Sequence, residues 1–230
     1  MMIRLSLLFL LTALLAHAHT DPKSIRVHSV LISMPQREYV AYTRMDKEDG
    51  HYAVAMQQVK AGKASVLDVN CVTTYSGVKA SLESIREFIY PTEYEPPQLP
   101  SQPDGIEEPF VPKLRTELPT AFETRNLGTT LEVEPTVLED GSTLSLRVIV
   151  ELVDPVGYSL WLKYRDEFGQ ADMKMPLFLT KSANLSCKVK NQKFALLTTF
   201  TGRTAAGELD RNQKILMFVR ADIMAIKHEE

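Results

Sequence analysis

The chain has 230 residues, a formal net charge of −3 at pH 7, 44% hydrophobic residues and 24% charged ones. At this length a folded chain hides roughly 70% of its unfolded surface, so one large or two small domains can form a core without staples. Lys, Arg, Asp and Glu are mixed along the sequence rather than blocked, which excludes the clustered basic face that a nucleic-acid surface requires.

Arg4 precedes an apolar run from Leu5 to Leu15, and Ala16-His17-Ala18 follows. A positive start, a short apolar stretch and small residues before a cut are the layout of a secretory signal peptide. Residues 1–18 are therefore read as a signal, with cleavage expected after Ala18 and the product exported. The run is shorter than the about 20 apolar residues that a spanning helix needs. No Cys follows the cut, so no lipid anchor is expected there. From His19 onward no second apolar stretch is long enough to cross a membrane as a helix.

Residues 19–90 begin with Ile25-Arg26-Val27-His28, which alternates, and then fill with Val30-Leu31-Ile32, predicting a first strand that Pro35 ends. Asp49-Gly50 opens an amphipathic helix near Tyr52 to Ala61, with Tyr52, Ala55, Met56 and Val59 on one face and Gly62 as its stop. Val66 to Tyr75 alternates and is β-branched, Ser76-Gly77 is a turn, and Val78-Ala80-Leu82 starts a return strand. The expectation is a helix leading into a hairpin.

Eight prolines lie between Pro91 and Pro119, with Glu93, Glu95, Asp104, Glu107, Glu108 and Glu117 among them. Proline removes backbone donors and favours extended, solvated chain, so residues 91–119 are read as an acidic loop or linker. The β signal then strengthens over residues 120–226. Leu131 to Val137 alternates strictly, Asp140-Gly141 is a hairpin turn, and Leu144, Leu146, Val148, Val150 and Leu152 keep one face apolar on the return. Tyr158 to Tyr164 is a third strand, with Leu160 and Leu162 between the two tyrosines. Leu185-Cys187-Val189 and Phe194 to Phe200 suggest another hairpin around Asn191-Gln192. Ile215 to Val219 is apolar on both faces, as a central strand would be. The fold class is mainly β, antiparallel sheets or a sandwich with one short helix, in which 19–90 and 120–226 form one fold. An immunoglobulin-like β-sandwich is the alternative.

Chemistry-bearing groups are sparse. Cys71 and Cys187 enter an oxidising compartment if the signal is used, but each sits in an apolar alternation. A disulfide and two buried free thiols both remain open. His28 and His51 have no Cys, Asp or Glu at metal-ligand spacing, and no nucleophile elbow or phosphate-cradling glycine loop is present. Glu132 and Glu134 share one strand face, which reads as the solvated side. No catalytic residue, metal or cofactor is expected. Tyr158, Trp161 and Tyr164 have the placement of an aromatic girdle, yet the stretch falls short of the about 9 to 11 residues of a membrane-crossing barrel strand. A subunit-contact or core strand is the favoured reading.

Three stretches together resemble the C-terminal domain of the secretins, the outer-membrane pores of bacterial secretion and pilus systems. Gly62-Lys63-Ala64-Ser65-Val66-Leu67 through Gly77-Val78-Lys79-Ala80 is similar to the family's helix, strand, turn and strand. Pro119-Thr120-Ala121-Phe122 through Gly128-Thr129-Thr130-Leu131-Glu132-Val133-Glu134-Pro135, ending at Gly141, is similar to its signature, in which a Gly precedes an alternating strand leading to a proline. Ile215 to Met224 is similar to its closing strand. The order and spacing agree from 62 to 225. Gly77, Gly128, Glu132, Glu134, Pro135 and Gly141 are the motif positions, with Gly128 suited to a close approach and Pro135 to a strand edge or bulge.

The resemblance implies a non-enzymatic structural or accessory component of a type II secretion or type IV pilus-like system, located in the periplasm or outer membrane. Its partners would be envelope or pilus proteins, with self-association through strand edges and outer-membrane association. The family carries a Gly-Gly gate turn where Leu196 to Gly202 here has one glycine, and the family's preceding periplasmic domains have no counterpart apart from the short segment at Ile25. The expectation is therefore a protein that is not a gated pore alone. A free-standing immunoglobulin-like module binding a pilus or surface partner is the rival.

Overall fold

The computed structural model describes residues 23–44, 50–95, 118–166, 169–204 and 207–224. The expected signal and most of the proline-rich segment lie outside them. The elements are β1 (Ser24–Pro35), α1 (Gln36–Thr43), α2 (His51–Lys60), β2 (Ser65–Tyr75), β3 (Ala80–Glu95), β4 (Leu118–Val137), β5 (Thr143–Asp166), β6 (Gly169–Lys190), β7 (Phe194–Arg203) and β8 (Leu209–Met224). They form two four-stranded sheets, ordered β2-β1-β8-β7 and β3-β4-β5-β6, and every pairing is antiparallel. The mainly β expectation holds. An immunoglobulin domain would divide its strands as ABED and CFG, whereas here the first and last strands are neighbours at the centre of one sheet. That alternative is not the fold.

The two sheets pack face to face over Ile25, Val27, Leu131, Val133, Leu146, Val148, Met217 and Val219, all essentially inaccessible. The opposite face of the first sheet carries Val30, Ile32, Met34, Leu216 and Phe218, and the helices cover it with Tyr42 and Ala55. This is why β1 and β8 are apolar on both faces. Each is a central strand between two layers, and each fully buried Leu, Ile or Val contributes roughly 1.5–3 kcal/mol of burial. Tyr52 lies flat on Phe194 at 3.7 Å between ring centroids and edge-on to Phe218 at 5.4 Å. Tyr52, Met56 and Val59 thus face the core together with buried Ala55, as the helical spacing predicts. Ala61 and Gly62 close the helix with backbone bonds to Gln57 and Val59.

Two expected hairpins are instead crossings between sheets. Across the turn at Ser76-Gly77, Ser76 N donates to Lys23 O beside β1, and Gly77 N donates to Pro135 O on β4. β2 pairs with β1 and β3 with β4. The turn at Asn191-Gln192 does the same: Asn191 N donates to Ser142 O of the second sheet, and Gln192 N to Ala221 O of the first. A turn motif specifies a reversal of direction. Whether the chain returns beside itself or opposite itself is decided by the longer ladders available to each strand elsewhere.

The segment read as a loop is strand at its two described ends. Pro91 to Glu95 complete β3, and Leu118 and Pro119 open β4, with register shifts around Pro91 and Glu93 that accommodate a residue lacking a donor. Tyr158 to Tyr164 is not a separate strand but part of the long β5. Its alternation is broken by irregularities at Pro155/Gly157 and Leu160/Leu162.

Candidate interaction surfaces

The motif positions lie along β4 and in the turns beside its end. Gly128 has φ +124, and a Cβ on it would sit 2.2 Å from Ser84 O and 3.2 Å from Ile85 Cα. Glycine is required on both counts, because the conformation excludes L side chains and the β3 backbone leaves no room for one. Pro135 is buried opposite Leu146 on β5. Its carbonyl accepts from Gly77 N on the side where β3 has not yet begun, so its missing N–H costs no ladder bond. Glu132 pairs with Lys79, and Glu134 stands opposite Arg147 on the half-exposed outer face. Gly141 lies in a turn organised by Asp140, whose carboxylate accepts from Ser142 N, Thr143 N and Thr143 Oγ1 at 2.6 to 3.0 Å. Those donors hold its pKa down at about 2.

Cys71 and Cys187 are both free, Cys71 exposed on edge strand β2 and Cys187 half-buried on edge strand β6 of the other sheet. Burial pushes the Cys187 thiol up. Two polar features escaped the sequence reading. Asp68 on β2 accepts from Thr129 Oγ1 on β4 at 2.8 Å and from Asn70 Nδ2 at 2.9 Å, tying the sheets beside Gly128. His28 Nε2 lies 3.7 Å from Asp222 on the neighbouring strand. Neither pairing has a spacing signature, because the partners come from distant parts of the chain.

Gly128 also marks a fork. β4 and β5 pair only from Gly128↔Val153 to Val137↔Leu144. β3 and β4 continue together to Glu95↔Leu118, and β5 and β6 continue to Asp166↔Gly169. The second sheet therefore splits into two hairpin arms. Among the described residues, the facing edges of β4 before Gly128 and of β5 after Val153 carry no ladder. Arg125 Nη2 spans the base of the fork, donating to Glu151 Oε1 and to Thr180 Oγ1, each at 3.2 Å. Farther out the arms touch through Phe88, Tyr90 and Phe178, with ring centroids of β3 and β6 at 5.5 to 5.9 Å.

The arms are apolar where they face solvent. Ile89 is 64% exposed, Phe122 57%, Tyr158 62% and Trp161 74%. The core reading of Tyr158 and Trp161 is thus overturned, because both project from an arm and Trp161 falls at a register irregularity between Leu160 and Leu162. The Tyr164 side chain lies outside the described residues. Nor is the strand short: from Asp154 to Asp166 it exceeds the about 9 to 11 residues of a barrel strand. Leu196 to Gly202, which the resemblance sets against the family's gate turn, lie in β7, paired with β8 in the sandwich, and Phe200 packs on the core. These residues lie on neither arm.

No protein-family model matches the chain, and no curated protein sequence matches it. Among solved structures it is similar to the type II secretion system secretin GspD of E. coli K12, with TM-score 0.45 and 12% identity over 96% of this chain and 54% of that one. The InvG secretin domain β-barrel of the Salmonella SPI-1 injectisome gives TM-score 0.47 and 10% identity over 96% and 67%. The type IV competence pilus secretin PilQ of V. cholerae gives 0.44 and 12% over 94% and 65%. The chain spans about half the length of the first of these. All three likenesses stand at TM-scores below 0.5 and at no more than 12% identity.

Proposed function

We propose that this protein is a non-enzymatic structural component of a type II secretion or type IV pilus-like apparatus at the bacterial envelope, exported by its N-terminal signal. Copies would join edge to edge through the hairpin arms. The fork carries the reading. Isolated two-stranded hairpins are marginal in water, and these expose apolar side chains and unpaired strand edges, the two features that strand addition consumes. The sheet's outer edges favour a second copy as the neighbour. β3 holds four Glu against one Arg, and β6 holds four Lys against one Asp. An acidic edge meeting a basic edge of the next molecule is a head-to-tail contact, the kind that propagates or closes into a ring. The secretion or pilus assignment rests on the three resembling stretches. No gated pore is proposed for the chain alone: the place of the family's Gly-Gly turn holds one glycine, Gly202, and Leu196 to Gly202 lie in β7.

Light scattering on purified protein, with and without mild detergent, tests the assembly. A discrete oligomer is expected for the wild type, with Trp161→Asp and Phe122→Asp shifting it toward monomer while the sandwich stays folded. A wild type that is monomeric at all concentrations and in detergent would defeat the proposal. Export is checked by mass spectrometry of the mature chain, with His19 expected as its first residue.

A further inference from the structure

The sandwich has an open side, separate from the arms, where edge strand β6 of one sheet faces edge strand β7 of the other. A groove of about 380 Å³ runs along it, lined by Cys187 to Lys190 on one wall and Phe194 to Leu197 on the other, with His51 also in its lining. Neither edge carries a ladder partner among the described residues, so both present backbone donors and acceptors to the groove. The Nε2 of His51 is buried without a hydrogen-bond partner. Lys188, Lys190 and Lys193 line the groove, and no carboxylate does, on a chain whose net charge is negative.

The pleat orders these groups. Val189 is buried toward the sheet interface while Lys188 and Lys190 are exposed on the outer face. A strand added beside β6 repeats this alternation, because side chains opposite each other across a ladder share a face. Positions opposite Lys188 and Lys190 would favour carboxylates, and the position between them would turn an apolar side chain toward Val189, Ala195 and Leu197. We infer that the groove binds an extended acidic segment of a partner protein by strand addition to β6, reading a pattern in which carboxylates and apolar residues alternate. The chain's own acidic segment leaves from the far end of β3, about 50 Å from Ala80 at 3.3 Å per residue. The residues between Glu95 and Leu118, which must go out and return, reach only about 36 Å. The segment between β3 and β4 is therefore not the occupant. This deepens the reading of the protein as an envelope interaction component and rests on it.

The test uses the full mature chain and three labelled five-residue peptides: one alternating Glu and Val, one with the same composition but the glutamates grouped, and one alternating Lys and Val. Fluorescence anisotropy should show binding of the first, at least fivefold weaker binding of the second and none of the third. Lys188→Glu with Lys190→Glu should weaken the first at least tenfold without changing the melting temperature, and hydrogen exchange should slow at 187–190 on binding. Equal binding of the grouped peptide, or indifference to the double variant, overturns the proposal. The Trp161→Asp protein separates the two readings. Peptide binding that persists in it while assembly is lost supports a distinct site, whereas loss of both places the groove in the contact between copies and overturns it as a partner site. A wild type that binds peptide but never assembles would fail the edge-to-edge reading alone.

Discussion

Replacing Gly128 by alanine perturbs the point from which the fork opens. The added Cβ would start 2.2 Å from Ser84 O, with φ at +124. Since carbon and oxygen need more than 3 Å, β3 must withdraw by about 1 Å, which stretches the ladder around Ile85↔Gly128. Backbone strain of this kind costs about 1–3 kcal/mol, and forcing a group into a filled site costs a further ~1–3 kcal/mol. A loss of about 3–5 kcal/mol is expected, a large fraction of the roughly 5–15 kcal/mol that holds a domain folded. Urea unfolding followed by circular dichroism measures it, and with a slope near 2 kcal/mol/M the midpoint should fall by about 2 M. Gly77→Ala is the control, because Gly77 also has positive φ but open space around its missing Cβ. It should cost only about 1–2 kcal/mol. A Gly128→Ala protein within 1 kcal/mol of wild type would refute the close approach.

Asp140→Asn should lower the urea midpoint at neutral pH. The folded carboxylate sits at about 2, below the about 3.9 of an unfolded Asp, so its stabilisation is present above pH 4 and fades as pH falls toward 2, where variant and wild type should converge. Ellman's reagent should label exposed Cys71 well before half-buried Cys187 in the native protein, with both reacting alike once unfolded. Absence of titratable thiol in the protein as isolated from an oxidising compartment would contradict the free state of both.

Strand identity was legible wherever burial imposes a period. β1 and β8 announced two-sided burial through Val30-Leu31-Ile32 and Ile215 to Val219, and the β4–β5 hairpin through its alternation and its Asp140-Gly141 turn. α1 was missed because Pro35 looks like a strand end, while Gln36-Arg37-Glu38 is polar and the helix buries only Tyr42. Partner choice was not legible at Ser76-Gly77 or Asn191-Gln192, since a turn records a reversal and not the sheet on the far side. The fork was invisible for the same reason. Residues 158–164 read as strand whether or not β4 lies beside them, and only the register shows that it does not. Gly128 and Pro135 could be singled out as punctuation, but their causes, the Ser84 carbonyl and the Gly77 amide, lie far away in sequence.

Contact between the acidic edge β3 of one molecule and the basic edge β6 of the next is read most directly by disulfide cross-linking. Single cysteines placed along 82–88 in one chain and along 177–185 in another, with Cys71 and Cys187 replaced by serine, can be mixed, oxidised and resolved without reductant. Covalent dimers between β3 and β6 variants are expected at a restricted set of position pairs, weakened by salt, with few dimers within either set. Dimers formed equally within each set, or none in any mixture, would contradict that contact.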